Sequence, residues 1–377
     1  MISRSHSMAV LWSAAATCSL GGLAFAGDSV EGKNNPMRLS GVLWAQYSYV
    51  LEDLSKADAI KDNNSFAIDR VYFTWECELD GDYVARARIE AQNLNRSNHP
   101  RIFLKNADIA VKDPFGIKRT KLRFGQTDGL ISHWYDAAWG YRVVSKSTTD
   151  LYYDISTAYL GLGWTGHWLG GILETDLLVA NRTGYSTDMS TAGGDSKYKS
   201  LGARAFLKPI RHGPVQDLGI GGYVQIAPDR SPPSDNRNVW FGGHAFFTAE
   251  KVVLGFQYDG RNHRQATAQG VLDTNAAVVS GIGRYRATDR IELFARGDLV
   301  DYDTGSSDFH EQPGLQVTYS PATARIIVGA SHTYSKTLRS ILDVQFVTVR
   351  DDVYDAGGVK KDFDDEIVLY ARLDAGL

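Results

Sequence analysis

Arginine and carboxylate side chains recur in this chain at a spacing of two: Arg86, Arg88 and Glu90; Arg284 and Arg286; Glu292, Arg296 and Asp298 around Phe294. Wound as a helix they would scatter round the cylinder; on an extended strand they share one face. Such a face breaks no bonds. It keeps a confined passage hydrated, and opposite signs across a narrow gap set up a field that orients polar solutes while excluding apolar ones. Close neighbours such as Arg88 and Glu90 have a plainer use as salt bridges, and the sequence leaves both uses open.

Covalent or acid–base chemistry needs a nucleophile, a base and an orienting acid within reach of one another. Beyond His6, the histidines (His99, His133, His167, His212, His244, His263, His310, His332) fall in separate segments, and neither G-x-S-x-G nor H-E-x-x-H occurs. His133 and Asp136 are near in sequence, which alone makes no site, so an enzyme is not expected. The run Asp301-x-Asp303-x-Gly305-x-x-Asp308 lacks the full calcium ligand set and its terminal Glu. Asp362, Asp364, Asp365 and Glu366 read as solvated charge, with bridging to lipopolysaccharide through divalent ions as the alternative. No phosphate-cradling Gly loop is present, and no cofactor or metal is expected.

The elements that position these charges follow from the same alternation. Ile291, Leu293, Ala295, Gly297 and Leu299 oppose the charged set on one strand. Val71, Phe73, Trp75, Cys77 and Leu79 do the same against Arg70, Tyr72, Thr74, Glu76 and Glu78. The template repeats to the carboxyl end, where Ile367, Leu369, Ala371, Leu373, Ala375 and Leu377 oppose Tyr370, Arg372 and Asp374. Strands this long exceed those of soluble domains and suit a tilted membrane crossing of about 9 to 11 residues. Short links such as Asp80-Gly81-Asp82 alternate with long polar ones, expected over 52–64, 94–102, 128–155, 182–198, 228–238, 262–272 and 302–311. The candidate strands number seventeen, including 312–320, and a barrel with both ends on one side needs an even number, so 16 or 18 are expected. The miscount is expected within 312–350.

Composition supports this class. Among 377 residues, 40 Lys and Arg against 44 Asp and Glu leave a net charge of −4, which gives no polycationic footprint for nucleic acid. The chain carries 37 Gly and 19 Tyr, and two Cys exclude a disulfide scaffold. Residues 1–26 read as a cleaved signal peptide: Arg4, an apolar stretch over Met8 to Ala16, and Ala24-Phe25-Ala26 before Gly27. The remainder, 27–377, shows no helix-period segment able to cover a sheet. The expected fold is therefore all-β: a transmembrane antiparallel β-barrel of about 16 strands, with lipid replacing the missing core.

Two regions carry a family resemblance. Phe66-Ala67-Ile68-Asp69-Arg70-Val71-Tyr72-Phe73-Thr74 is one; Ala107-Asp108-Ile109-Ala110-Val111-Lys112 followed by Leu122-Arg123-Phe124-Gly125-Gln126 is the other. Together with the final strand, they resemble the phosphate-selective porin O and P family of outer-membrane channels. The resemblance implies a barrel in the bacterial outer membrane acting as a passive channel. Two departures limit it. The chain ends in Leu377 rather than an aromatic residue, and it lacks a one-sign ladder of Lys and Arg. On the inward parity Arg70, Arg86, Arg88, Arg123, Arg204, Arg284, Arg286, Arg296 and Arg372 are mixed with Glu76, Glu78, Glu90, Asp108, Glu292, Asp298 and Asp343. Phosphate selectivity therefore does not carry over.

The expected function is a porin for small hydrophilic solutes or ions, with an anion preference as its finer form; adhesin or receptor, and then barrel hydrolase, are the alternatives. Expected pore-lining residues are Arg70, Arg86, Arg88, Glu90, Arg123, Arg284, Arg286, Glu292, Arg296 and Arg372. The longest connection, 128–155, holds His133, Trp134, Tyr135, Asp136, Trp139, Tyr141, Tyr152 and Tyr153. So aromatic a loop is poorly suited to water, so it is expected to pack inward as a constriction, with packing over the outer rim as the alternative. Partners are outer-membrane lipid and lipopolysaccharide and the solutes themselves; a homotrimer is left open.

Overall fold

The computed structural model describes residues 37–53, 63–92, 101–130, 132–153, 155–184, 199–210, 215–228, 237–267, 270–301, 323–349, 353–354, 360–361 and 366–376. Sixteen antiparallel strands close into one barrel. They are β1 (Met37–Asp53), β2 (Asn64–Asp80), β3 (Tyr83–Gln92), β4 (Arg101–Lys112), β5 (Thr120–Asp128), β6 (Ala158–Trp168), β7 (Leu173–Gly184) and β8 (Lys199–Ile210). There follow β9 (Val215–Pro228), β10 (Arg237–Ala249), β11 (Val252–Thr267), β12 (Gly270–Arg286), β13 (Ile291–Asp301), β14 (Thr323–Ser335), β15 (Leu338–Val349) and β16 (Glu366–Gly376). Each strand pairs with its chain neighbour, and β1 pairs with both β2 and β16, so no edge remains. Val353–Tyr354 and Lys360–Lys361 form a separate small ribbon.

The alternation sorts the side chains the opposite way from a soluble sheet. Along β13 Leu299 is 53% exposed, while Asp298 beside it is 1% exposed and Arg296 is 2% exposed. Outward positions such as Phe124, Ile102, Leu293 and Ile326 form an apolar surface, and charges fill the interior. Water gives such a surface no reason to persist, whereas hydrocarbon does.

Three expectations need correction. The count of seventeen falls to sixteen: 312–320 lies outside the described residues, and β13 pairs directly with β14 without it. The long loop expected over 262–272 is instead continued hairpin, with β11 and β12 paired as far as Thr267 and Gly270. Asn262, His263, Arg264 and Gln265 are polar because that end of the strand rises past the apolar band, not because the chain leaves the sheet. The chain also holds two short helices, α1 (Ser132–Trp139) and α2 (Thr148–Tyr152), both between β5 and β6. The proposed signal peptide, Leu377, most of the Asp301–Asp308 run and Asp362 to Asp365 lie outside the described residues.

Candidate functional site

The β5–β6 connection turns into the barrel and lies on the inner wall of β10 to β16. Burial of its aromatic residues drives this. Tyr135, Trp139 and Tyr141 are buried against Phe246, Ile282, Phe294, Ile327 and Ile341, with the Tyr141 ring stacked 4.0 Å from that of Phe294. The loop backbone, mostly not helical, still needs partners for its carbonyls. Wall side chains supply them. Arg284 Nη1 donates to Ala138 O at 3.0 Å, Arg339 Nη2 to Gly140 O at 2.7 Å, Arg372 Nη1 to Val143 O at 3.2 Å and Arg296 Nη1 to Lys146 O at 2.6 Å.

Wall carboxylates take the loop's donors in return. Tyr141 OH lies 2.7 Å from both Glu292 Oε1 and Ser331 Oγ, Tyr152 OH donates to Asp298 at 2.9 Å, and Thr148 donates to Asp259. Burial raises the pKa of Tyr141 above its ordinary value, so the hydroxyl stays a donor. Each of three carboxylates also holds its own arginine: Arg284 with Glu292 at 2.9 Å, Arg296 with Asp298 at 2.8 Å, and Arg372 with Asp343 at 2.8 Å. Gly140 is where the chain must turn after α1, at φ +69, and an ideal Cβ there would lie 2.9 Å from Arg284 Nη1.

The root of the loop is clamped as well. Asp128, ending β5, accepts from Arg86 Nη1 at 2.8 Å, Arg123 Nη1 at 2.5 Å and Asn106 Nδ2 at 3.0 Å. Within the loop Arg142 bridges Asp136 and Asp150, and Lys146 also reaches Asp150 at 3.2 Å. Burial alone would raise the Asp150 carboxyl, but Arg142 and Lys146 bring it below its ordinary 3.8.

The wall of β2 to β4 is built around Tyr72, which packs against the cluster that holds Tyr135, Trp139 and Tyr141. Arg70 Nη1 reaches Glu90 at 3.1 Å and donates to Tyr72 OH at 2.8 Å; Lys105 Nζ reaches Glu90 at 2.8 Å and Tyr72 OH at 3.2 Å. Arg88 Nε donates to Thr74 Oγ1 at 2.8 Å. Arg142 of the loop is near enough to Tyr72 and Arg70 to interact with both electrostatically.

The residues expected to line a pore thus divide by position. Arg284, Glu292, Arg296 and Arg372 sit beneath the loop as its anchors, and Arg86 and Arg123 hold its root. Arg70, Arg88 and Glu90 lie on β2 and β3, with Arg70 and Glu90 buried and Arg88 half-buried. Arg286, at the end of β12, is exposed and outside both groups. Of the expected constriction residues, Tyr135 and Trp139 are anchors and Asp136 holds Arg142; the side chains of His133 and Trp134 lie outside the described residues. Tyr72, Lys105, Arg142 and Arg339 were not singled out from sequence. Lys105-Asn106, two adjacent polar residues inside an alternating run, was the available signal for one of them.

The closed sixteen-stranded barrel thus carries the β5–β6 connection on its inner wall. Comparison with protein-family models found no match, and comparison with curated proteins found none either. Solved structures are similar over 90% of this chain. The anion-selective porin from Comamonas acidovorans superposes with a TM-score of 0.61 at 12% identity, covering 90% of this chain and 99% of that one. The outer membrane channel DcaP of Acinetobacter baumannii gives 0.60 at 14% identity, covering 90% and 96%. OmpF of Salmonella typhi, solved in complex with daunomycin, gives 0.58 at 12% identity, covering 90% and 98%. At these identities the likeness is one of fold.

Proposed function

We propose that this chain is an outer-membrane porin: a passive, non-enzymatic diffusion channel for small hydrophilic solutes, exported by a cleaved signal peptide over 1–26. The observation that carries the reading is the inverted barrel, apolar outside and charged inside, with the β5–β6 loop anchored within it. Sixteen strands enclose an aqueous passage, and a loop held against one wall narrows it. The interior ion pairs are committed to structure, which suits a conduit better than a catalyst. The excess of cations round Tyr72 favours anions, without the repeated ladder that phosphate selectivity would need.

Reconstitution in planar bilayers tests this. Purified protein should give ohmic single-channel steps, and removing residues 133–152 should enlarge them. A membrane-inserted protein that conducts nothing would end the porin reading and leave the adhesin or receptor alternative. Unchanged steps after loop removal would end the constriction.

A further inference from the structure

We infer that the short-turn rim of the barrel carries a docking site for anionic phospholipid, built from the adjacent β4–β5 and β6–β7 turns. Phe115 and Leu169 enter the leaflet, and Lys118 and Arg119 take the headgroup phosphate. Short turns face the periplasm in such barrels, where the leaflet is phospholipid. The inference rests on the outer-membrane reading above and adds a lipid site to it.

The backbone gives the first reason. Among the described residues the non-glycine positions at positive φ are Asp113 (φ 48), Phe115 (φ 59), Arg119 (φ 62) and Leu169 (φ 51), and all four fall in these two turns. L side chains are strained in that region, and glycine is the residue that fits it freely. Yet the chain places there a phenylalanine 87% exposed and a leucine 70% exposed. In water the strain and the bare apolar surface would both be unfavourable. Contact with an apolar phase offsets them, and local strain of this kind collects where a chain meets a ligand.

The turns hold these side chains out. Gly116 N donates to Asp113 O at 3.1 Å, Ile117 N to Pro114 O at 3.1 Å, and Thr120 Oγ1 to Ile117 O at 2.7 Å. Arg119 is fixed from both sides, its N–H donating to Asp113 Oδ1 at 2.6 Å and its carbonyl accepting from His167 N at 3.0 Å, while its side chain is exposed. In the second turn Ile172 N donates to Leu169 O at 3.3 Å, and Trp168 Nε1 to Thr175 Oγ1 at 2.8 Å.

Continuity and charge select lipid as the occupant. Val111, Leu122, Trp164 and Leu177 form one outward row across β4 to β7, and Ile117 and Ile172 carry exposed apolar surface on into the turns. From Leu122 to Thr120 is about 7 Å of strand, and the headgroup layer is about 5 to 8 Å deep, so the turn emerges among headgroups. Lys118 and Arg119 are exposed there, with Asp113 as the carboxylate 3.4 Å from Lys118 Nζ. Other described short turns, at 80–82, 250–251, 287–290 and 336–337, carry no large apolar residue. Apolar tips beyond the strand ends are also separate from the aromatic girdles that such barrels carry on their strands.

The test uses the full-length protein in vesicles of phosphatidylcholine, alone and with increasing phosphatidylglycerol, and reads the urea midpoint of unfolding. Insertion of wild type is established first by strand circular dichroism and protection from protease; its failure ends the outer-membrane reading and the site with it. Phosphatidylglycerol should raise the wild-type midpoint. Lys118→Gln with Arg119→Gln should need about fivefold or more phosphatidylglycerol for the same rise. Lys336→Gln with Arg290→Gln, the same loss of charge on other short turns, should respond like wild type. Phe115→Asn with Leu169→Asn separates lipid from water by sign. Asparagine accepts positive φ more readily, so tips in water would gain from the change, whereas tips in lipid lose their burial and the midpoint in phosphatidylcholine should fall. Should that variant fail to insert, the two charge variants decide. The inference is overturned if the asparagine variant holds or raises the midpoint, which would leave the tips to water or a soluble partner. It is equally overturned if phosphatidylglycerol leaves the wild-type midpoint unchanged, or if the two charge variants respond alike.

Discussion

Arg296 offers the sharpest test of how the loop is held. Its guanidinium pairs with Asp298 at 2.8 Å, donates to Lys146 O at 2.6 Å and Ser145 Oγ at 3.3 Å, and lies 5.2 and 5.7 Å from the ring centres of Tyr135 and Trp139. Arg296→Met keeps most of the apolar stem and removes the charge. Asp298, 1% exposed, is then left with Ser280 Oγ at 2.6 Å and Tyr152 OH at 2.9 Å as its donors. Breaking one side of a buried pair costs about 3 to 5 kcal/mol, and the two lost donations to the loop cost about 1 kcal/mol each. The double variant Arg296→Met with Asp298→Asn removes the stranded charge while still losing the two loop bonds. Its deficit should therefore fall to about 2 kcal/mol. Urea unfolding in lipid vesicles measures the stabilities, and single-channel current noise reports the loop. Both variants should flicker, since both release Ser145 and Lys146. The reasoning is refuted if the double variant is as unstable as the single one, or if both conduct as quietly as wild type.

Three further outcomes follow from the same contacts. Ile326, 52% exposed on β14, should face lipid, so Ile326→Arg should destabilise the barrel by about 2 to 4 kcal/mol in vesicles, against about 0.5 kcal/mol for a water-facing position; the smaller value would sink the lipid-facing assignment. Gly140→Val forces a β-branched residue to φ +69 beside Arg284 and should cost about 1 to 2 kcal/mol, read as increased flicker without loss of the folded barrel; quiet channels would show that the turn is not strained. Asp150 carries a folded pKa below 3.8, so its contribution to loop docking is complete above 3.8 and is lost only as pH falls through that lower value. Wild-type conductance should hold from about pH 7 to about pH 5, while Asp150→Asn should flicker even at neutral pH; a wild-type transition near pH 5 that Asp150→Asn lacks would contradict this.

Much of the barrel was legible because one rule governs it. On β13 the parity of Glu292, Phe294, Arg296 and Asp298 fixes the inner face, and the structure buries the last three and half-buries Glu292. What escaped was whatever breaks period two. A strand that continues in polar residues, as β11 does through Asn262 to Gln265, looks like a loop because polarity reports distance from the lipid band, not the end of pairing. Helix α1 escaped because eight residues held by wall contacts need no strong periodicity of their own. The Lys105 bulge shifts the parity of everything before it on β4, so a lysine that strict alternation from Asp108 would aim at lipid points inward instead.

The loop's inward packing was expected from its aromatic content, but its attachment was not, and the difference lies in what arginine does in an enclosed space. Arg284, Arg296 and Arg372 have the inward parity of solute-contacting residues, yet each combines a carboxylate on the wall with a backbone carbonyl on the loop. A guanidinium has donors enough for both, and a buried loop carbonyl has few other sources of hydrogen bonds once water is excluded. An inward arginine is therefore available to solute only where both demands are missing. Arg88 differs from these anchors: its cross-strand neighbours Thr74 and Asn106 carry no charge, and its hydrogen bond to Thr74 uses Nε. Counting inward arginines would predict a channel lined with positive charge. Pairing the anchors with their neighbours leaves a scaffold that is largely neutral, which is why charge reversal at Arg284, Arg296 or Arg372 should disturb the loop first.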